Sequence, residues 1–188
     1  MCGFAEELEY IETLSDASLK AFGDPAEIKA FLLKAATASC DFYIEHTPTD
    51  GIPYWDTGAP NLHKLGDYLS RPVDSSAAAI GAQGLLRLGH YLMKSGDAAK
   101  GEKYWQAGLT VLKTLLDEPY LSTDKNHQGL ILHSIYHEPN GWDNVPAGQK
   151  IACNESSMWG DYHARELALY VQRIIDKDTY YTFFNCLS

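Results

Sequence analysis

Long apolar runs, basic surplus and clustered cysteines are all missing from this sequence, and each absence excludes something. No stretch of about 18 consecutive apolar residues occurs, so no helix here can span a membrane. Lys and Arg number 15 against 25 Asp and Glu, a net charge of −10. Long-range repulsion therefore opposes nucleic acid or an anionic membrane as partner. An anionic small molecule is not excluded, because a local pocket can be rich in donors on an acidic surface. The four cysteines (Cys2, Cys40, Cys153, Cys186) are widely spread with no Cys-x-x-Cys pair. That spacing supports neither a disulfide framework nor a zinc site, and free thiols are expected. A His-Glu-x-x-His pair, a glycine-rich phosphate loop and a Gly-x-Ser-x-Gly elbow are also missing. No metal, cofactor or serine-hydrolase chemistry is expected.

What is present is helical. With 188 residues, 45% hydrophobic and 21% charged, the chain can bury one sizeable core. Apolar residues recur at helical spacing in five stretches and no period-2 strand pattern is evident, though short β pieces around Leu130–Tyr136 stay open. The first helix is expected over about Gly3–Thr13 with Phe4, Leu8 and Ile11 inward, starting abruptly as if a longer helix had been cut. Asp24-Pro25 gives an N-cap followed by proline at the first helical position, opening a helix with Ile28, Phe31, Leu32, Ala35, Ala36, Phe42 and Tyr43 on one side and Pro48 as its stop. A third helix starts after Asp74 as cap and runs through Ala77, Ile80, Leu85, Leu88 and Leu92 to Gly96. Gly81 and Gly84 inside it cost about 1 kcal/mol each relative to alanine, which points to a closely packed neighbour. A fourth helix covers about Ala98–Leu116 with Trp105, Leu109, Leu112 and Leu116 inward. The last runs over Asp161–Ile175, burying Ala164, Leu167, Ala168, Val171 and Ile174, with Asp161 as its cap. The class is all-α.

Two long loops carry aromatic and titratable residues. One, from Pro48 to Val73, holds Tyr54, Trp55, Asp56, His63 and Tyr68. The other, from Asn126 to Met158, holds His127, His133, Tyr136, His137, Trp142 and Asp143. Loops of this length are functional or disordered, and the aromatic density argues against disorder. They read as the lining of a shared cleft. His133 and His137 are four apart, but a zinc reading needs more ligands and Pro139 interrupts a helix there.

Several segments in order resemble the unsaturated glucuronyl hydrolases, glycoside hydrolase family 88-like. They are Asp50-Gly51-Ile52-Pro53-Tyr54-Trp55-Asp56, Asp74-Ser75-Ser76-Ala77-Ala78-Ala79-Ile80, Gly81-Ala82-Gln83-Gly84-Leu85-Leu86 and Ser157-Met158-Trp159-Gly160-Asp161-Tyr162. The resemblance covers about Gly3 to Leu169 and matches the family's C-terminal half. It implies an (α/α)6 toroid, of which residues 1–188 would be the C-terminal helical hairpins of the single domain. It implies an activity too: release of an unsaturated uronic acid from lyase-generated oligosaccharides, by adding water across the vinyl ether with an aspartate as acid/base. The catalytic aspartates belong to the family's N-terminal half, upstream of an Arg-Gly-Gln-Ala-Trp motif, and nothing in this chain matches those segments. No catalytic residue is assigned here, and they are expected upstream of Met1. The chain alone is expected to be inactive, and an exposed half-ring to self-associate.

On the resemblance, Trp55, Tyr136, His137, Ser156, Ser157 and Trp159 are the candidate substrate-binding residues. Each has a structural rival. Trp55 is a sugar-facing wall or an anchor, with Asp56 pinning loop backbone. Tyr136 and His137 face a sugar or hold the loop, and Trp159 stacks on a sugar or plugs the core. Ser156 and Ser157 offer small hydroxyls before a helix. Glu155 is the one carboxylate near the serine pair and is read as merely hydrogen-bonding. The expected partners are unsaturated uronic-acid oligosaccharides. The alternative function is a truncated, non-catalytic module that binds oligosaccharide or protein. The compartment stays open, with the cytoplasm favoured, since any signal peptide would lie upstream.

Overall fold

A computed structural model describes residues 1–58 and 72–182; His63, Tyr68 and Cys186 of the sequence reading lie outside them. Among the described residues six α-helices follow in order: α1 (Cys2–Ile11), α2 (Asp16–Leu19), α3 (Pro25–His46), α4 (Ser75–Lys94), α5 (Ala98–Leu115) and α6 (Met158–Asp176). The class is all-α, as expected. Around Leu130–Tyr136 the only β feature among the described residues is an isolated bridge, Leu121 to Ile131. No disulfide joins the described residues. Two compact units form: Met1–Ile44, Gly81–Leu109 and Leu169–Ser188 make one, Glu45–Ile80 and Thr110–Ala168 the other, each taken over its described residues.

Local chemistry sets the helix starts. Asp24 Oδ1 accepts from the N–H groups of Ala26 (2.9 Å) and Glu27 (3.1 Å), so α3 begins at Pro25, which has no N–H to satisfy. Asp74 Oδ1 accepts from Ser76 N–H at 3.0 Å, so α4 begins where its cap predicts. Helix α6 departs from expectation. It begins at Met158, three residues before Asp161, and its cap is Ser157, whose Oγ accepts from Gly160 N–H at 3.0 Å.

In the first unit Leu8, Ile11, Leu19 and Leu32 form a core cluster, flanked by Tyr10, Leu14, Ile28, Leu33 and Tyr91. Several expected faces are turned. Phe4 on α1 is exposed, and the inward line is Ala5, Leu8 and Ile11. On α3 the inward line is Leu32, Ala36 and Cys40, leaving Phe31 64% and Phe42 51% exposed. Ala36 and Cys40 on that line are small enough for a close helix approach, and Phe31 and Phe42 lie off it. Burial pushes the Cys40 thiol up to about 12. On α4 every residue from Gly81 to Gly89 is buried, so this stretch is enclosed on all sides rather than striped.

The glycines explain that enclosure. A Cβ on Gly81 would stand 2.6 Å from Tyr43, and one on Gly84 would stand 2.8 Å from the Cys2 backbone nitrogen. The close neighbour foreseen for both is α1 and α3. Helix α5 meets α4 in the same way. A Cβ on Gly89 would be 2.7 Å from Trp105 N and 2.8 Å from Gly101 O, and one on Gly101 would be 2.7 Å from Gly89 O. The inward line of α5 is accordingly Gly101, Tyr104, Gly108, Val111 and Leu115, one residue round from the expected Trp105, Leu109, Leu112 and Leu116, and Leu116 is exposed. Backbone obstacles cannot rotate away as side chains do. Gly89→Ala is expected to destabilise by about 1–3 kcal/mol despite its better helix propensity, read as a lower urea midpoint.

Arg87 lies on α4 with its side chain 1% exposed. Its Nη1 donates to Glu9 Oε2 at 2.9 Å, Glu6 lies 3.6 Å from Nη2, and Nη2 donates to the Tyr181 carbonyl at 3.0 Å. The guanidinium stacks 4.8 Å from the Tyr170 ring centroid. Tyr180 donates its hydroxyl to the other Glu9 oxygen at 2.8 Å. On α6 the inward residues are Gly160, Leu167 and Tyr170; the expected Ala164, Ala168, Val171 and Ile174 are only partly covered.

Candidate functional site

The second unit gathers exposed aromatic rings beside the start of α6. Tyr136 and Trp142, 62% and 61% exposed, stack at 5.4 Å with an interplanar angle of 23°. Trp159 packs 5.5 Å from Tyr136, and His137 lies 5.4 Å from Trp142. The chain reverses between these rings through the 3-10 turn Glu138–Asn140 and Gly141, which takes the left-handed conformation at φ 62°. The Asp143 carboxylate fixes the reversal by accepting the backbone N–H groups of Tyr136 and His137. His137 Nδ1 accepts from Asn140 N–H at 3.3 Å. The result is a solvent-facing aromatic platform on a pinned loop, with Tyr136 and Trp142 stacked and Trp159 and His137 tilted against them.

Polar side chains hold the platform from beneath. The Trp159 indole N–H donates to Ser76 Oγ at 3.0 Å, and Ser76 donates to Asp74 Oδ1 at 2.7 Å. The same Asp74 oxygen accepts from Ile135 N–H at 3.3 Å. Asp74 thus caps α4 and ties it to both sides of the platform. Burial lifts its carboxyl above the ordinary range, while the bonds from the Ser76 hydroxyl and the Ile135, Ser76 and Ala77 N–H groups act in the opposite direction. Ser75, Ser134 and Ser157 continue the layer, with Oγ to Oγ distances of 3.2 Å and 3.1 Å. Gly160 lets them close up, since a Cβ there would meet the Ser157 and Ser134 hydroxyls at 2.8 and 2.9 Å. Ser76→Ala removes the indole's partner. Its expected result is red-shifted Trp159 emission and about 1 kcal/mol of lost stability, checked by fluorescence and urea titration.

Of the residues singled out in the sequence, the structure brings Tyr136, His137 and Trp159 together. Trp55 sits on a neighbouring ribbon: its N–H donates to Pro72 O at 3.1 Å, Tyr54 bridges Val73, and Asp74 N–H donates to Pro53 O. Asp56 Oδ1 accepts from Gly58 N–H at 2.7 Å, the local pinning expected of it. Ser156 and Ser157 spend their hydroxyls within the fold. Ser157 donates to Ser134 and caps α6, while Ser156 donates to the Ile131 carbonyl at 2.7 Å. His127 Nε2 lies 2.9 Å from Ser156 Oγ. Because the Ser156 proton is committed to Ile131, His127 acts there as donor and is not placed to activate a nucleophile.

One histidine and one aspartate also find structural employment. His133, at φ 68°, packs edge-on to Tyr120 at 5.5 Å, and its Nδ1 accepts from Asn154 N–H. Burial holds its basicity below the usual imidazole range, against a bond to the Pro119 backbone. Among the described residues no group of three His, Cys, Asp or Glu is placed to hold a metal. Asp161 accepts from Leu130 N–H with both oxygens (3.0 and 2.9 Å) and from Ile131 N–H at 3.1 Å. This role replaces the capping expected of it. Sequence reading placed Trp142 and Asp143 in the loop but not in the site. The one signal for them is the Asn140-Gly141 turn, which returns the chain to Tyr136.

No protein-family model matches the chain. An unsaturated glucuronyl hydrolase of Formosa agariphila is 33% identical over 147 residues, covering 77% of this chain and 32% of that protein. One from Bacillus sp. GL1 is 29% identical over 144 residues, covering 77% and 34%. The solved structure of the Bacillus sp. GL1 hydrolase superposes with a TM-score of 0.64 at 26% identity, over 96% of this chain and 39% of that one. The chain therefore spans about a third of the length of the curated relatives it matches. Those neighbours are (α/α)6 toroids, and the helices of this chain correspond to part of one. By sequence and by fold, this chain is a homologue of the unsaturated glucuronyl hydrolases, glycoside hydrolase family 88-like.

Proposed function

We propose that this chain is part of a glycoside hydrolase of the unsaturated glucuronyl hydrolase kind and contributes its aromatic sugar-facing wall. The reaction is hydration of the vinyl ether in a terminal unsaturated uronic acid. A proton adds to one alkene carbon and water's oxygen to the other, and the resulting hemiketal collapses to free the remaining sugar. The single observation that supports this reading is the exposed platform of Tyr136, Trp142 and Trp159, a surface suited to the apolar face of a pyranose. A family variant solved with dGlcA-Glc-Rha-Glc, 26% identical with a TM-score of 0.64, fits the same substrate class.

The chemistry assigned to this chain is binding. Asp74 and Asp143 are both engaged by backbone N–H groups, and Ser156 has no free proton. The acid/base aspartate of the reaction is assigned to none of the residues described. Trp55 and His137 extend the wall in this proposal, while Ser156 and Ser157 shape it through Ile131 and Ser134. Self-association belongs to the same reading, through the exposed Phe31 and Phe42 of α3, and light scattering across concentrations tests it.

The test is titration of the 188-residue chain with an unsaturated chondroitin disaccharide. Saturable quenching of tryptophan emission, lost in Trp142→Ala, is expected, with no loss of the sugar's ultraviolet absorbance. Absence of quenching overturns the reading, and turnover by the chain alone overturns the division of labour. Binding without turnover, together with a stop codon just upstream of the Met1 codon, would instead favour the non-catalytic module.

A further inference from the structure

The first unit contains a pocket of about 470 Å³, within the range of small-molecule sites, and no platform residue lines it. Three helix C-termini meet around it. Glu9, Tyr10 and Thr13 come from the end of α1, His90 and Lys94 from the end of α4, and Ile174 from the last turn of α6. The segment after α6 closes it. Lys177 takes φ 59°, its N–H donating to Ile174 O and that of Asp178 to Arg173 O, so the chain turns back sharply. Tyr180 is then fastened by its hydroxyl to Glu9, with its ring 5.4 Å from His90 and 5.8 Å from the Lys94 ammonium.

The charges around this pocket nearly cancel. Each helix C-terminus presents about half a negative charge, and Asp178 adds a full one. Lys94 and Lys177 oppose them. Glu9 is compensated by Arg87 at 2.9 Å, and His90 is held toward its neutral form by burial and by Lys94. An ion of either sign would therefore find a partner already matched. A hydroxyl is different, because it can donate to a helix-end carbonyl and accept from the Lys94 or Lys177 ammonium at once. The Tyr180 and Tyr10 rings supply an apolar wall against which a pyranose can lie.

We propose that this pocket binds a neutral sugar, a mono- or disaccharide unit, as a second carbohydrate site independent of the platform. The experiment follows backbone amide resonances of the 188-residue chain during titration with glucose, cellobiose, glucuronate and glucosamine. Expected are saturable shifts at Thr13, Lys177 and Tyr180 with cellobiose, and no tighter binding of the two charged sugars than of glucose. Thr179→Trp fills the pocket from an exposed position on the closing segment and should weaken cellobiose at least about tenfold with an otherwise native spectrum. Tyr180→Leu, which removes the ring wall, should do the same. No shift at those amides, a charged sugar binding about tenfold tighter than glucose, or unchanged affinity in both variants overturns the proposal. Trp142→Ala should leave these shifts intact, so failure here and failure of the platform reading are told apart.

Discussion

Arg87→Ala is expected to lower stability by about 3–5 kcal/mol, the cost of leaving a buried partner charge uncompensated. The side chain is 1% exposed and its partner Glu9 is 10% exposed, so water does not replace the lost pair. The Tyr170 ring and the Tyr181 carbonyl lose their cation at the same time. A urea titration reads the loss directly. Arg87→Met with Glu9→Gln, which removes both charges and keeps the volume, should recover most of it. Equal losses in single and double variants would show that an unpaired Glu9 charge is not the cause.

The pH dependence of that loss has a definite sign. Burial raises Glu9 above its ordinary value of 4.5, and Arg87 is the strongest influence in the other direction. A carboxyl with a raised folded pKa contributes stability that is complete below its unfolded value and is lost as pH rises through the folded one. Without Arg87 the folded value rises further. The deficit of Arg87→Ala should accordingly be largest at neutral pH and shrink as Glu9 takes up its proton on acidification. A deficit independent of pH would exclude Glu9 as its source.

Asp161→Ala is the second large effect, about 3 kcal/mol, because two backbone N–H groups lose a charged acceptor together. The damage should be local before it is global. Hydrogen exchange should speed first at Leu130 and Ile131, then at Ser134 and Ile135, which lead to the platform. Asp161→Asn keeps one acceptor oxygen but turns a donor toward the backbone, and should fall between the wild type and alanine. If exchange at Leu130 and Ile131 is unaffected by either substitution, the carboxylate does not organise this loop.

Caps and close approaches were readable in advance because they are short-range. Asp24 with Pro25, and Asp74 before its serines, mark helix starts through bonds made within three residues. Gly81 and Gly84 announced tight packing because each costs about 1 kcal/mol against alanine inside a helix, a cost that a closely packed neighbour explains. Which face turns inward was less legible. On α5 the hydrophobic line through Trp105 and Leu109 competes with a line through Gly101 and Gly108, one residue round. The glycine line wins because it lets the α4 and α5 backbones approach. Counting apolar residues cannot see an interaction whose advantage is the absence of a side chain.

The same division runs through the site. The sequence by itself determined the family, the all-α class, the capped starts of α3 and α4, and the presence of aromatic residues in the loop that becomes the platform. Tertiary structure alone decided that Trp142 stacks on Tyr136, that Asp74 reaches Trp159 through Ser76, that Asp161 serves Leu130 and Ile131 instead of its own helix, and that Arg87 is buried against Glu9. Apart from the local Ser76–Asp74 bond, these contacts join residues 6 to 83 positions apart. Their partners are chosen by which backbone groups folding leaves without water, and that is settled only when the chain has closed around them.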